Sequence, residues 1–200
     1  MKHYLWLKAA CIGFVLTVIY SFIPFQASCA DVTRDSFRLH ILADSDSRED
    51  QSLKLRVRDR LLKETGELFS SAKSKDEAIR LTAQKLQSLA NTACDEVRRS
   101  GYDYTVKAEI TNMYFTTRRY KSYTLPSGMY DALRITIGSG KGHNWWCVMY
   151  PSLCVTAAEN QDERAREAFD DGEYRVVHDE QPEYKFKIIE IFEKLRSFFA

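Results

Sequence analysis

The chain has 200 residues, 44% of them hydrophobic and 12% aromatic, with 29 Lys+Arg against 28 Asp+Glu for a formal net charge of +1. That is enough apolar material for one sizeable core, which excludes collagen-like, low-complexity and wholly disordered classes. The balance of charge lacks the overall basic excess of a nucleic-acid-binding chain.

Lys2 and Lys8 lead into residues 9–25, a run that carries no charge. Pro24 interrupts the run, and Ala27, Ser28, Cys29 and Ala30 follow before Asp31. A basic start, an apolar middle and a small-residue end make the layout of a secretory signal, with the cut after Ala30. A run of about 17 residues is also near the lower limit for a span, so an uncleaved N-terminal anchor stays open. Lipid attachment at Cys29 is a third option. In each case the remainder of the chain crosses a membrane. Without residues 1–30 it carries 27 Lys+Arg and 28 Asp+Glu, and keeps Cys94, Cys147 and Cys154.

Residues 36–43, SFRLHILA, alternate Phe37, Leu39 and Ile41 with Arg38, His40 and Leu42, which predicts a strand. Asp44, Ser45, Asp46 and Ser47 then offer side-chain oxygens to free amides. A helix is predicted over 47–64, with Leu53, Val57 and Leu61 on one face and Leu55 and Leu62 nearly opposite; such a helix should be packed on two sides. Gly66 reads as its stop. A second helix is predicted over 75–99, opened by a Ser74/Glu77 capping box and closed by Gly101. Its stripe includes Ile79, Ala83, Leu86, Ala90 and Val97, and Cys94 beside it reads as a buried thiol.

Strand signals follow. Val106, Ala108 and Ile110 alternate with polar residues, residues 113–125 are rich in Tyr, Phe and Thr, and residues 125–128 make a turn. Leu133, Ile135 and Ile137 alternate again. A glycine-rich loop, GSGKG at 138–142, leads into HNWWCVMY at 143–150. Short strands joined by short turns point to an antiparallel meander. The fold class is therefore α+β: an antiparallel sheet with two N-terminal helices packed on one face, plus a C-terminal amphipathic helix. Residues 159–180 hold nine acidic and three basic residues and read as a solvated linker with room for a short helix over 161–169. Residues 184–199 are strongly amphipathic, with Ile188, Ile191, Phe192 and Leu195 on one face, and this helix is expected to pack on the domain. The organisation is thus a signal or anchor over 1–30, a globular domain over 31–156, an acidic linker over 157–182 and a helix over 183–200.

No motif on this chain predicts catalysis. The GSGKG loop lacks the spacing of a phosphate loop and runs into a strand, not a helix. Asp44, Asp46 and Asp50 resemble a calcium loop, but its glycine and glutamate positions hold Glu49 and Leu55, so the carboxylates read as caps or as a partner contact. His143 and Cys147 on one strand lie about 13 Å apart, too far for a nucleophile–base pair. The histidines show no tight metal-binding spacing, and no metal or cofactor is implied. Cys147 and Cys154 bracket a bend at Pro151, and an exported chain can oxidise such a pair; two separate buried thiols are the other reading.

Three segments carry a family resemblance. FRLHILADSDSREDQSLKLRVRD at 37–59, LPSGMYDALRITIGSGKGHNWWCVMYPSLC at 125–154 and EYKFKIIEIFEKL at 183–195 resemble the stage II sporulation protein R family. The NWWC run followed by PSLC is its most specific part. Asp44 stands where the family favours Asn, and both residues cap and turn well. The resemblance implies an intercellular signalling protein, not an enzyme. Such a protein is exported from the forespore of an endospore-forming bacterium into the space between the two membranes. There it activates a membrane-embedded aspartic peptidase, which removes the pro-sequence of the mother-cell sigma factor E. The expected contact consists of the exposed members of Tyr123, Trp145 and Trp146 with the turn bearing Asp44, Asp46 and Asp50. The alternatives are an exported hydrolase assembled from distant residues, around His40 or His143, and an envelope-anchored structural protein.

Overall fold

The computed structural model describes residues 2–70, 72–120, 123–151, 153, 166, 169–178, 186 and 187. Among them the elements run α1 (Lys2–Asp35), β1 (Phe37–Leu42), α2 (Arg48–Ser70), α3 (Lys75–Arg99), β2 (Val106–Phe115), β3 (Arg118–Arg119), β4 (Thr124–Leu125), β5 (Gly128–Ile137), β6 (Asn144–Tyr150) and α4 (Asp171–His178).

The fold is α+β, as expected, but its main sheet is mixed. The strand order is β2-β5-β1-β6, and β3 with β4 forms a separate ribbon. β1 runs parallel to β5, with Leu39 opposite Leu133, and antiparallel to β6, with His40 opposite Trp146. An antiparallel meander is therefore confined to β2 and β5. The loop after β5 does not close a hairpin; it passes over β1. The physical reason lies in β1, whose six residues are all buried. A strand covered on both faces belongs in the middle of a sheet.

Local chemistry sets the helix ends. The Asp50 N–H donates to Ser47 Oγ at 3.1 Å, and the Glu77 N–H donates to Ser74 Oγ at 3.2 Å. The Glu77 carboxylate accepts from the Lys73 N–H at 2.9 Å, one residue outside the expected reciprocal bond. α3 closes in a Schellman turn. The Tyr102 N–H donates to the Val97 carbonyl at 3.2 Å and the Gly101 N–H to that of Arg98 at 2.9 Å, with Gly101 at φ 85°. α2 passes Gly66 and ends at Ser70. Nothing crowds that position, and an open mid-helix glycine costs only about 1 kcal/mol.

α2 and α3 cover one face of the sheet. Leu53, Val57 and Leu61, with Leu89, Ala93 and Val97, pack on Phe37, Leu39, Ile41, Leu133 and Ile135. Each fully buried leucine or isoleucine contributes about 1.5–3 kcal/mol. Leu62 packs at the margin of this core while Leu55 is exposed, so α2 is not covered on both sides. Cys94 is half-buried.

The opposite face is covered by the end of α1, by α4 and by the β3–β4 ribbon. Val32, Tyr123, Leu125, Val148, Phe169 and Val177 cluster there. α4 falls inside the stretch expected to be a linker. Its Val176 and Val177 are buried, and Val176 packs with Cys29 and Phe186, so two valines fix a mostly charged segment to the body. The C-terminal helix expected over 184–199 lies outside the described residues apart from Phe186 and Lys187, and the short helix read at 161–169 apart from Arg166 and Phe169. The first part of α1 exposes Trp6, Ile12, Phe14, Leu16 and Tyr20, whereas Cys29 and Val32 near its end are buried. Ala30 lies between them, within the helix. Among the described residues no helix is long and apolar enough to cross a membrane.

Candidate functional site

The alternation of β1 sends Arg38 and His40 to the face opposite α2 and α3. Both are buried; Arg38 has no exposed surface. Its guanidinium carbon lies 4.1 Å from the centre of the Phe115 ring and 4.9 Å from that of Tyr130. Its Nη2 donates to the Tyr120 hydroxyl at 2.8 Å, and that hydroxyl donates to the Trp146 carbonyl at 3.2 Å. Nε and Nη1 of Arg38 find no hydrogen-bond partner among the described residues. His40 lies edge-on to Phe115 and Trp146. Burial pushes its imidazole down to about 4, with the Arg134 and Arg38 charges adding to the effect and the Asn144 amide opposing it.

Trp145 and Trp146 point to opposite faces, as adjacent strand residues must. Both are half-buried, and each carries an arginine over its ring. Arg58 of α2 lies 4.3 Å from the Trp145 ring centre, and Arg118 of β3 lies 3.7 Å from that of Trp146. The two cations differ in one respect. Arg58 bonds Asp59 at 2.7 Å, while none of the ion pairs among the described residues includes Arg118. Tyr123, expected as a contact residue, is buried. It stacks on Tyr120 with ring centres 4.6 Å apart, and burial raises its phenol well above the usual range. It supports the site from behind and is not part of its surface.

The 44–50 turn and the GSGKG loop hold each other at the same end of the sheet. The Ser139 N–H donates to the Asp44 carboxylate, and the Lys141 and Gly142 N–H groups donate to the Asp44 and Ala43 carbonyls at 3.2 and 2.9 Å. The chains come so close that a Cβ on Gly142 would lie 2.2 Å from the Ser45 carbonyl oxygen. The glycines serve this approach, not phosphate binding. The Asp46 carboxylate accepts from the His143 N–H at 2.5 Å and contacts Nδ1 of the same residue. Those bonds hold the Asp46 carboxyl below its usual range. Asp50 is buried beneath the turn, where it accepts from the Ser45 hydroxyl. Lys54 of α2 reaches across and donates to the His143 carbonyl at 2.7 Å. Asp44, Asp46, Asp50, Trp145 and Trp146 are thus gathered at the end of the sheet where β1 leaves and β6 enters, whereas Tyr123 clusters with Val148, farther along β6 on the face opposite α2.

This arrangement is poor in nucleophiles. The Ser45 and Ser139 hydroxyls are committed to Asp50 and to the Asp44 carbonyl. No hydroxyl or thiol among the described residues hydrogen-bonds His143. Cys147 is buried in the sheet–helix core, facing away from His40. Cys154 lies outside the described residues, and so does its pairing. No group of three or more His, Cys, Asp or Glu among the described residues is placed to hold a metal ion. What the site offers is recognition by aromatic walls, guanidinium groups and a braced turn. Arg38, Arg118 and Tyr120 were not singled out from sequence. The one available signal was a pair of basic residues, Arg38 and His40, two apart in an otherwise apolar strand.

The family described as Stage II sporulation protein R matches residues 33–160, which include β1 to β6 and the two helices packed on the sheet. The chain belongs to that family. Stage II sporulation protein R of Bacillus subtilis (strain 168) is 36% identical to it over 125 residues, which make up 62% of this chain and 56% of that protein. The chain thus spans little more than half the length of that curated relative. No solved structure matches it. All the residues at the braced end of the sheet fall inside the matched region, whereas most of α1 and all of α4 fall outside it.

Proposed function

We propose that this sporulation protein is exported from the forespore and acts as a signalling ligand. In this reading it activates a membrane-embedded aspartic peptidase, which then processes the pro-form of the mother-cell sigma factor E. The chain works by binding and has no reaction of its own. The observation that carries the reading is the braced sheet end, where the Asp44–Asp46 turn is pinned by hydrogen bonds and Trp145 and Trp146 present arginine-covered rings on the two sides of the sheet. Rigidity matters because binding energy is not then lost in ordering the surface. A ligand activates a peptidase only by binding its active state more tightly than its inactive one. Moving that balance from 1:99 to 99:1 takes about 5.5 kcal/mol. Two half-buried tryptophans and an arginine are of the residue types that supply energies of that order.

The same reading places the folded part between the two membranes and makes residues 1–30 an export signal or an N-terminal anchor. It also joins Cys147 to Cys154 across the bend in which the Leu153 N–H donates to the Pro151 carbonyl at 2.7 Å, since that compartment permits oxidation.

Co-expression of the full chain with the peptidase and pro-sigma factor in a non-sporulating host tests the proposal. Processing should require the chain and should vanish when its export is blocked. Equal processing with and without the chain would refute the activator role.

A further inference from the structure

Beside Trp146 the surface opens into a cleft of about 130 Å³, lined by Arg118, Arg119, Tyr120, Asn144, Trp145 and Trp146. A bound water occupies about 30 Å³, so the cleft has room for a carboxylate and the short stem that carries it. Its polar wall includes two donors, the Arg118 guanidinium and the Asn144 amide; the indole N–H of Trp146 is buried behind it, with no partner among the described residues. Behind the wall stands Arg38, fully buried and with two nitrogens unpartnered among those residues. It is coupled to the cleft through the Tyr120 hydroxyl. A guanidinium withdrawn from water without an anion, as Arg38 is, is costly, and its field adds to that of the exposed Arg118 at this spot. The cleft also lies along β6, the last strand in the sheet order among the described residues, so an extended segment can lie beside it.

We propose that this cleft is a carboxylate-binding site that takes an aspartate or glutamate side chain from an extended segment of the partner protein. Arg118 makes the direct charge-assisted bonds, and the Asn144 amide stands as a second donor, while the Tyr120 hydroxyl, whose proton goes to the Trp146 carbonyl, links Arg38 to the wall. The identity of the partner rests on the activator reading; the chemistry of the cleft does not.

The test uses the purified full chain in detergent. Two probes are titrated by tryptophan fluorescence: the peptide acetyl-Thr-Glu-Val-Glu-Thr-amide and its twin with both Glu replaced by Gln. The glutamate peptide should bind about tenfold more tightly than the twin, and added salt should narrow the gap. Arg118→Glu should abolish the preference and Arg118→Lys should keep part of it. Lys85→Glu, on the exposed side of α3, should leave it unchanged. Arg118 is exposed, so its variants are expected to fold, and near-ultraviolet circular dichroism checks this. Equal binding of the two peptides, or an undiminished preference in Arg118→Glu, overturns the proposal. So does a wild-type chain that binds neither, since its own carboxylates would then fill the cleft. Neither peptidase nor sigma factor enters this experiment, so its failure leaves the activator reading standing, and failure of the co-expression experiment leaves the cleft standing.

Discussion

On the proposed reading, Arg38 is where this fold gives up stability for a binding surface. A fully buried guanidinium is held by two aromatic faces and one hydroxyl. Cation–π contacts of this kind contribute about 0.5–2 kcal/mol each, against a desolvation penalty of several kcal/mol per buried ion. Arg38→Met keeps the volume and removes the charge. Its melting temperature should equal or exceed that of the wild type while its triggering of sigma-factor processing falls at least tenfold. A variant that is destabilised yet fully active would contradict this role.

His40 makes the complementary case. Its folded value near 4 lies below the ordinary 6.5 because burial disfavours the charged ring. The unfolded chain therefore binds a proton more readily than the folded one. The stability that His40 confers is complete above pH 6.5 and is lost as pH falls through 4, a total of roughly 3 kcal/mol. Asp46 and Asp50 are held below their usual range, so their loss belongs to lower pH. Urea denaturation at pH 7 and pH 4.5 should show a marked fall for the wild type and a clearly smaller one for His40→Leu.

At the scale of elements, what was legible in the sequence was what local chemistry decides. Ser74 caps α3 and Gly101 ends it because side-chain oxygen and positive φ satisfy or release specific backbone groups. Ser74→Ala should cost about 1 kcal/mol in chemical denaturation and leave triggering intact. The stripe of α2 likewise identified its buried face, but that of α3 was read about one residue out of place: Ala78, Thr82 and Leu89 are buried with Ala93 and Val97, whereas Ala83 is exposed. What was not legible was the neighbour of each strand. The alternation of 36–43 fixes which residues share a face, but not that both faces are covered, nor that β1 lies between β5 and β6. That order depends on contacts between segments nearly a hundred residues apart. For the same reason the burial of Tyr123 and of Arg38 was not legible.

The GSGKG loop was recognised as a non-phosphate loop from spacing alone, yet its purpose emerged only from the fold, as the partner of the 43–46 turn. Gly142→Ala forces that partner aside by its backbone. It should cut triggering severalfold while the core, remote from the loop, keeps most of its stability.

For the whole molecule, the layout separates two tasks. α2, α3 and the inner sheet face supply the core, and on the proposed reading the braced end of the sheet presents the recognition groups. The matched region, 33–160, holds both. The end of α1 packs on the body through Val32, and Ala30 lies two residues before it. Cleavage at Ala30 would thus leave Val32 in place and remove Cys29 from its cluster with Val176 and Phe186. Intact mass of the exported product decides among the three fates of residues 1–30, and the form cleaved at Ala30 should begin at Asp31.

The central claim is that this chain acts as a stoichiometric ligand and not as a catalyst. The most direct test is to vary its amount against a fixed amount of peptidase and follow pro-sigma-factor processing over time. The account predicts that the number of active peptidases rises with the chain and saturates near a constant ratio of the two. Full activation by a few chains per hundred peptidases, persisting after the chain is removed, would mean that each chain converts many receptors in turn, and would contradict it.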